Sequence, residues 1–166
     1  MMTLKKISRL SGFSTSTVSK ALNDCYDVSV ETKKLIRDLA FQYNYTPNKN
    51  AVALRKSKTN ILAVILPQVN QQLYSDLLCD IYQKASESGY RIMLYQSFEN
   101  KSKEKEFLED ISDGSVDAAI ILSIHEELQV KRSIPMVYMQ IFKKKSSQDL
   151  LERCRFNLEN LLEKIK

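Results

Sequence analysis

The stretch TLKKISRLSGFSTSTVSKALN, residues 3–23, decides how the first third of this 166-residue chain is read. In its first half Leu4, Ile7 and Leu10 recur at three-residue spacing after Thr3, which predicts a short helix opened by a threonine cap and closed at Gly12. In its second half Phe13 precedes Ser14, and Val18 lies four residues beyond that serine. This is the pattern of a hydrophobic staple around a serine cap, and it predicts a second helix whose buried stripe is Val18, Ala21 and Leu22. The opposite face, Thr15, Ser16, Ser19, Lys20 and Asn23, carries hydroxyls, one ammonium and one amide. Small polar residues are poor helix formers, and an ordinary solvent face favours Glu, Lys or Gln. They do suit a helix lying deep in a major groove about 12 Å wide, where hydroxyls and amides donate to phosphates and bases and Lys20 reaches a guanine acceptor. A solvated polar helix is the alternative that this stretch leaves open.

Outward from it, a third helix is predicted to begin after Ser29, to carry Leu35, Ile36, Leu39 and Tyr43 inward, and to end near Asn44 ahead of Pro47. The charge is uneven. Residues 1–60 hold 11 Lys and Arg against 4 Asp and Glu, a net +7, whereas residues 61–166 hold 14 against 16, a net −2. A basic head on a mildly acidic body is what phosphate binding through counterion release requires, although a solvated lysine-rich face gives the same balance.

Beyond TPNKNAVALRKSKTN (residues 46–60) the period changes. ILAVILP is a continuous apolar strand, QLYSDLLCDIYQKASESG a helix closed by Gly89, and YRIMLYQS a second strand. KSKEKEFLEDISDG is a helix closed by Gly114, followed by VDAAIILS and IPMVYMQIF as third and fourth strands. Strands without polar alternation, separated by amphipathic helices, predict a parallel sheet covered on both faces. KKKSSQ (residues 143–148) reads as a joint. The last segment places Leu150, Leu151, Cys154, Leu158, Leu161, Leu162 and Ile165 on one helical stripe, with acids early and lysines late as the helix dipole favours.

Several function classes are disfavoured. Cys25, Cys79 and Cys154 are odd in number, widely spaced and without CxxC pairs, so neither a disulfide framework nor a zinc site is expected, only ordinary buried or half-buried thiols. His125, the single histidine, is expected at the surface. With three glycines and no nucleotide, hydrolase or metalloprotease motif, no cofactor and no enzymatic activity are expected. No apolar run approaches the ~20 residues of a membrane span and the start lacks a secretory pattern, which points to the cytoplasm.

The order of motifs also carries a resemblance. The helix-turn-helix pattern of residues 3–23, then VSVETKKLI, YTPN, AVALR, KT and the first core strand, resembles the start of the lac repressor and galactose repressor family of bacterial regulators over about residues 3–142. The resemblance implies a helix-turn-helix head over 1–46, a hinge over 47–58, the N-terminal lobe of a periplasmic-binding-protein-like α/β core over 59–142, and a linker with an amphipathic helix over 143–166. It implies Thr15, Ser16 and Lys20 at the principal base-reading positions, with Thr17, Ser19 and Asn23 near the backbone. Lys20 stands where most members carry Arg, and it lacks the bidentate fork. Thr3, Ser14, Thr32, Asn48, Ala51 and Arg55 are further implied DNA contacts, and Leu54 a wedge in the minor groove once the hinge orders on a dimer's operator.

The loop QVNQQLYSD departs from the family pattern and offers only Asn70 and Tyr74 as effector contacts. The resemblance stops about half way through a usual family chain, so the second lobe is expected to be absent and an effector site to be half a site. The function implied is a DNA-binding transcriptional regulator, a repressor acting as a homodimer on a near-palindromic operator. The alternatives are a shortened relative that binds DNA without effector control, and a small-molecule-binding α/β domain. The terminal helix is expected to cover apolar surface, either on its own sheet or on a partner subunit.

Overall fold

The computed structural model describes residues 2–48, 52–53, 58–130, 133–141 and 146–165. The chain divides into two compact units, Met1–Arg55 and Lys56–Lys166.

The first unit contains helices α1 (Leu4–Ser11), α2 (Thr15–Leu22) and α3 (Val30–Gln42). Their starts are chemical. The side chains of Thr3, Ser14 and Ser29 accept from the backbone N–H of Lys6, Thr17 and Thr32, respectively, so each helix has one of its orphan donors satisfied. α1 stops at Gly12, whose φ of 75° suits a residue without a Cβ. The turn that follows is tied by Ser8 Oγ donating to the Phe13 carbonyl at 2.6 Å. Ile7, Val18, Ala21, Val28 and Ile36 form the core, with Phe13, Leu4, Leu22 and Tyr45 packed against it, as the staple pattern requires.

On α3 the expected inward face needs correction. Ile36 and Ala40 are buried and Leu39 is half-buried, but Leu35 is 46% and Tyr43 41% exposed. Leu10 of α1 is likewise exposed. A unit of three short helices has an interior wide enough for about one residue per turn, so only the centre of each apolar stripe enters it.

The second unit runs β1 (Ile61–Leu66), α4 (Gln72–Glu87), β2 (Arg91–Gln96), α5 (Lys101–Asp110) with a 3₁₀ turn over Ile111–Asp113, β3 (Ala118–Ser123), β4 (Met136–Gln140) and α6 (Ser147–Lys164). All pairings are parallel, in the order β2-β1-β3-β4. The two-residue period of a strand explains the two cores. Leu62, Val64 and Leu66 of β1 with Ile120 and Leu122 of β3 face α4 and α6, while Ala63, Ile65, Ala119 and Ile121 face Leu108 and Ile111. The sheet is therefore doubly covered, as its unbroken apolar strands predict. Asp117 fixes the entry edge, accepting from the Thr59 N–H at 2.6 Å, the Thr59 hydroxyl at 2.8 Å and the Asn60 N–H at 2.8 Å.

Of the two positions open to the terminal helix, the structure has it on its own sheet. Leu150, Cys154, Leu158, Leu161 and Leu162 are buried in the same core as Leu77 and Ile81 of α4. Arg155 reaches Asp80 of α4 through Nε at 2.8 Å and Nη2 at 3.2 Å, and Tyr90 Oη donates to the Ile165 carbonyl at 3.0 Å. Residues 143–145 of the KKKSSQ joint lie outside the described residues, while Ser146 caps α6 and Ser147 and Gln148 open it.

Candidate nucleic-acid interface

The exposed face of α2 is assembled from its cap outward. Ser14 Oγ accepts the Thr17 N–H at 3.1 Å and lies 2.9 Å from Thr17 Oγ1, while Thr15 and Ser16 project into solvent one and two residues after the cap. Lys20 and Asn23 are exposed further along. α3 begins with the same device, Ser29 Oγ donating to Thr32 Oγ1 at 2.9 Å and accepting the Thr32 N–H at 3.2 Å. Serine and threonine hydroxyls beside the unpaired N–H groups of a helix start form a surface that anionic oxygens can approach.

Ser19 does not belong to that surface. It is only 6% exposed, although a 100° step from Val18 set it with the polar residues. α2 packs against both α1 and α3, and together they cover more of its circumference than one stripe. Asn23 is exposed, but its amide donates to the Ser19 carbonyl at 2.7 Å and helps to close the helix. Thr17 is half-buried behind its bond to Ser14, and Thr32 is half-buried at the start of α3. Thr3 is exposed at the start of α1.

Three ion pairs frame α2, and none is visible in the periodicity. The Lys20 ammonium donates to the Asp27 carboxylate across the turn that follows the helix. That hydrogen bond holds Lys20 above the ordinary lysine value and Asp27 below the ordinary carboxylate range. Asp24, in a left-handed conformation with φ 58°, receives Lys33 Nζ and Arg37 Nη2 of α3, each at 3.0 Å. The Lys33 hydrogen bond and then the charges of Lys33 and Arg37 depress its carboxyl. Part of the head's positive charge is thus committed internally.

Asn48 is exposed and lines a cavity of about 180 Å³ with Leu4, Ser19, Leu22, Tyr45 and Val52, and its carbonyl accepts the Val52 N–H at 3.1 Å. Ala51, Leu54 and Arg55 lie outside the described residues.

In the second unit the two suggested effector contacts separate. Asn70 is exposed in the turn before α4, beyond the carboxyl end of β1. Tyr74 is only 3% exposed and packs with Leu77 and Ile81, so it is corrected from an effector contact to a core residue; its spacing of three and seven residues from these partners sets all three on the buried stripe of α4. At the carboxyl ends of β2 and β3 the sequence reading missed a buried polar cluster. Ser123 Oγ lies 2.8 and 2.9 Å from the carboxylate oxygens of the fully buried Glu104, and Ser97 Oγ lies 3.4 Å from one of them. Nothing in a lysine- and glutamate-rich helix distinguishes the one inward glutamate. His125 is half-buried rather than at the surface, with its N–H on Ser123 Oγ at 3.0 Å and Nε2 2.9 Å from the Glu99 carbonyl. Of the thiols, Cys154 is buried and Cys25 half-buried as expected, but Cys79 is exposed. Among the described residues no group of His, Cys, Asp and Glu is placed to hold a metal ion, and no helix is long and apolar enough to cross a membrane.

Residues 3–48 match the family described as bacterial regulatory proteins, lacI family. The HTH-type transcriptional regulator RegA of Clostridium saccharobutylicum is 32% identical over 120 residues, 72% of this chain and 36% of that protein. A transcriptional regulator of the LacI family from Silicibacter pomeroyi superposes with a TM-score of 0.65 at 26% identity, over 89% of this chain and 46% of that one. The lac repressor dimer bound to operator and the anti-inducer ONPF superposes with a TM-score of 0.67 at 21% identity, over 74% of this chain and 37% of that one, a likeness of fold. The chain therefore spans less than half the length of these relatives.

Proposed function

We propose that this chain, which belongs to the lacI family of bacterial regulatory proteins, is a sequence-specific DNA-binding transcriptional regulator and not an enzyme, with α2 as its recognition helix. The observation that carries the reading is the exposed row Thr15, Ser16, Lys20 and Asn23 on a helix whose other side is fixed by Val18 and Ala21. In a major groove Thr15 and Ser16 meet base edges by hydroxyl and Lys20 by its ammonium, while the caps of α1 and α2 at Thr3 and Ser14, Thr32 in the first turn of α3, and the neighbouring Thr17 and Asn23 meet phosphates. Ser19 acts from behind, supporting the helix from its buried position.

The finer reading is a repressor that occupies a near-palindromic operator as a homodimer in the bacterial cytoplasm. The solved lac repressor, a dimer on its operator, supports that arrangement. Two recognition helices then sit about one helical turn of DNA apart, or a multiple of it. The hinge over residues 47–58 crosses the minor groove, with Asn48, Ala51 and Arg55 at the backbone and Leu54 wedged at a base step. A small-molecule effector belongs at the carboxyl ends of the strands, where Asn70 is exposed.

The test is the affinity of the purified chain for duplex DNA as salt is raised. Neutralising 6–10 phosphates costs on the order of 10³–10⁵ in affinity between 50 and 200 mM salt. A flat dependence removes the electrostatic basis of the proposal, and sedimentation of the same complex reports whether one or two chains are bound.

A further inference from the structure

We infer that Asp27 is a specificity-determining residue: by holding the Lys20 ammonium on the reading face, it keeps that cation from binding phosphates indiscriminately and reserves it for base acceptors. The inference rests on the DNA-binding reading above. Lys20 is the single Lys or Arg of α2, and its ammonium pairs with the Asp27 carboxylate, seven residues on and across the turn to α3. Both side chains stay partly open, 47% exposed for Lys20 and 38% for Asp27, so the pair is at the surface where DNA would arrive and is not part of the core.

A lysine on a flexible four-carbon stem is a point charge that any nearby phosphate can recruit. With one of its three donors on Asp27 it is restrained in direction and its charge is offset at short range. The carboxylate on its own repels cognate and non-cognate backbones alike, so its effect on selectivity runs through the pair with Lys20. On a cognate site the ammonium keeps its place and uses its remaining donors on acceptor atoms such as guanine N7 and O6. The pair therefore weakens non-specific binding more than specific binding, which is how a repulsive element raises selectivity. Asp24 does not serve in its place, because it is occupied by Lys33 and Arg37.

The experiment uses the full chain and two duplexes of equal length and composition, one enriched from a random pool by the parent protein and one scrambled, with affinities read by fluorescence anisotropy at one salt concentration. Asp27→Asn is expected to tighten binding to the scrambled duplex roughly three- to ten-fold, the effect of about one additional phosphate contact, and to change the enriched duplex less, so that the specificity ratio falls. In a Lys20→Met background the same Asp27→Asn change should leave the ratio where it was.

Three results overturn the inference: an unchanged ratio in Asp27→Asn, an equal fall of the ratio in the Lys20→Met background, or an Asp27 carboxyl that titrates identically, by NMR, with and without Lys20. If the parent chain binds neither duplex while that titration shift is present, the DNA-binding reading falls and the selectivity role with it, but the pair itself stands.

Discussion

Leu158→Ala tests how α6 is held. Leu158 is 1% exposed, in the core that α6 shares with α4 and the sheet. Truncating a fully buried leucine removes its transfer free energy and leaves a cavity, together worth about 2–5 kcal/mol. For a unit the size of Lys56–Lys166, 1 kcal/mol corresponds to roughly 4 °C in melting temperature, so a fall of about 8–20 °C is expected. Phe156→Ala is the control on the same helix. Phe156 is 66% exposed, and its loss should change stability by no more than about 0.5 kcal/mol. Scanning calorimetry with circular dichroism at 222 nm reads both variants, and the transition of the head unit should not move in either. Equal small shifts for the two variants would refute the packing of α6 on its own sheet. A parent chain whose melting temperature rises with protein concentration, with that dependence lost in Leu158→Ala, would instead put the stripe against a second subunit.

Asp24 titrates lower in the folded chain than in the unfolded one, so its contribution to stability is complete above the ordinary aspartate value of about 3.9 and is lost as pH falls through the depressed folded value. Asp24→Asn should therefore flatten the loss of head stability in that acid window, measured by urea unfolding, and a profile that overlays the parent's contradicts the Lys33 and Arg37 contacts. Burial pushes the Cys154 thiol up to about 12, so at pH 8 a thiol reagent should modify exposed Cys79 first and Cys154 only on unfolding, as peptide mapping of the labelled chain will report.

The elements were legible because their signals are local. Thr3, Ser14 and Ser29 announce helix starts by hydroxyl chemistry, Gly12 and Gly114 announce stops by tolerating positive φ, and the unbroken ILAVIL and AAIILS can be satisfied only between two covering layers. What stayed hidden depends on how much of each surface a neighbour covers. Ser19 lies on the polar side of α2 by angle yet is buried, because two helices contact α2 and the sequence does not say how broadly. Leu35 is apolar yet exposed for the converse reason, since the head's interior is too small to admit the whole stripe. The Lys20–Asp27 pair is closed by a turn in which Asp24 adopts a left-handed conformation, and no helical or strand period spans it. Tyr74 adjoins a loop that departs from the family pattern, but its spacing to Leu77 and Ile81 puts it on the buried stripe of α4.

Whether α2 reads DNA sequence is decided by selection from a random duplex pool with the purified full chain, followed by sequencing. An enriched inverted repeat with half-sites about one helical turn apart is expected, and the same repeat with preference relaxed at one or two positions when the selection is made with Ser16→Ala. A pool that remains random after repeated rounds contradicts it, as does an enriched motif that Ser16→Ala, Thr15→Ala and Lys20→Ala all reproduce unchanged.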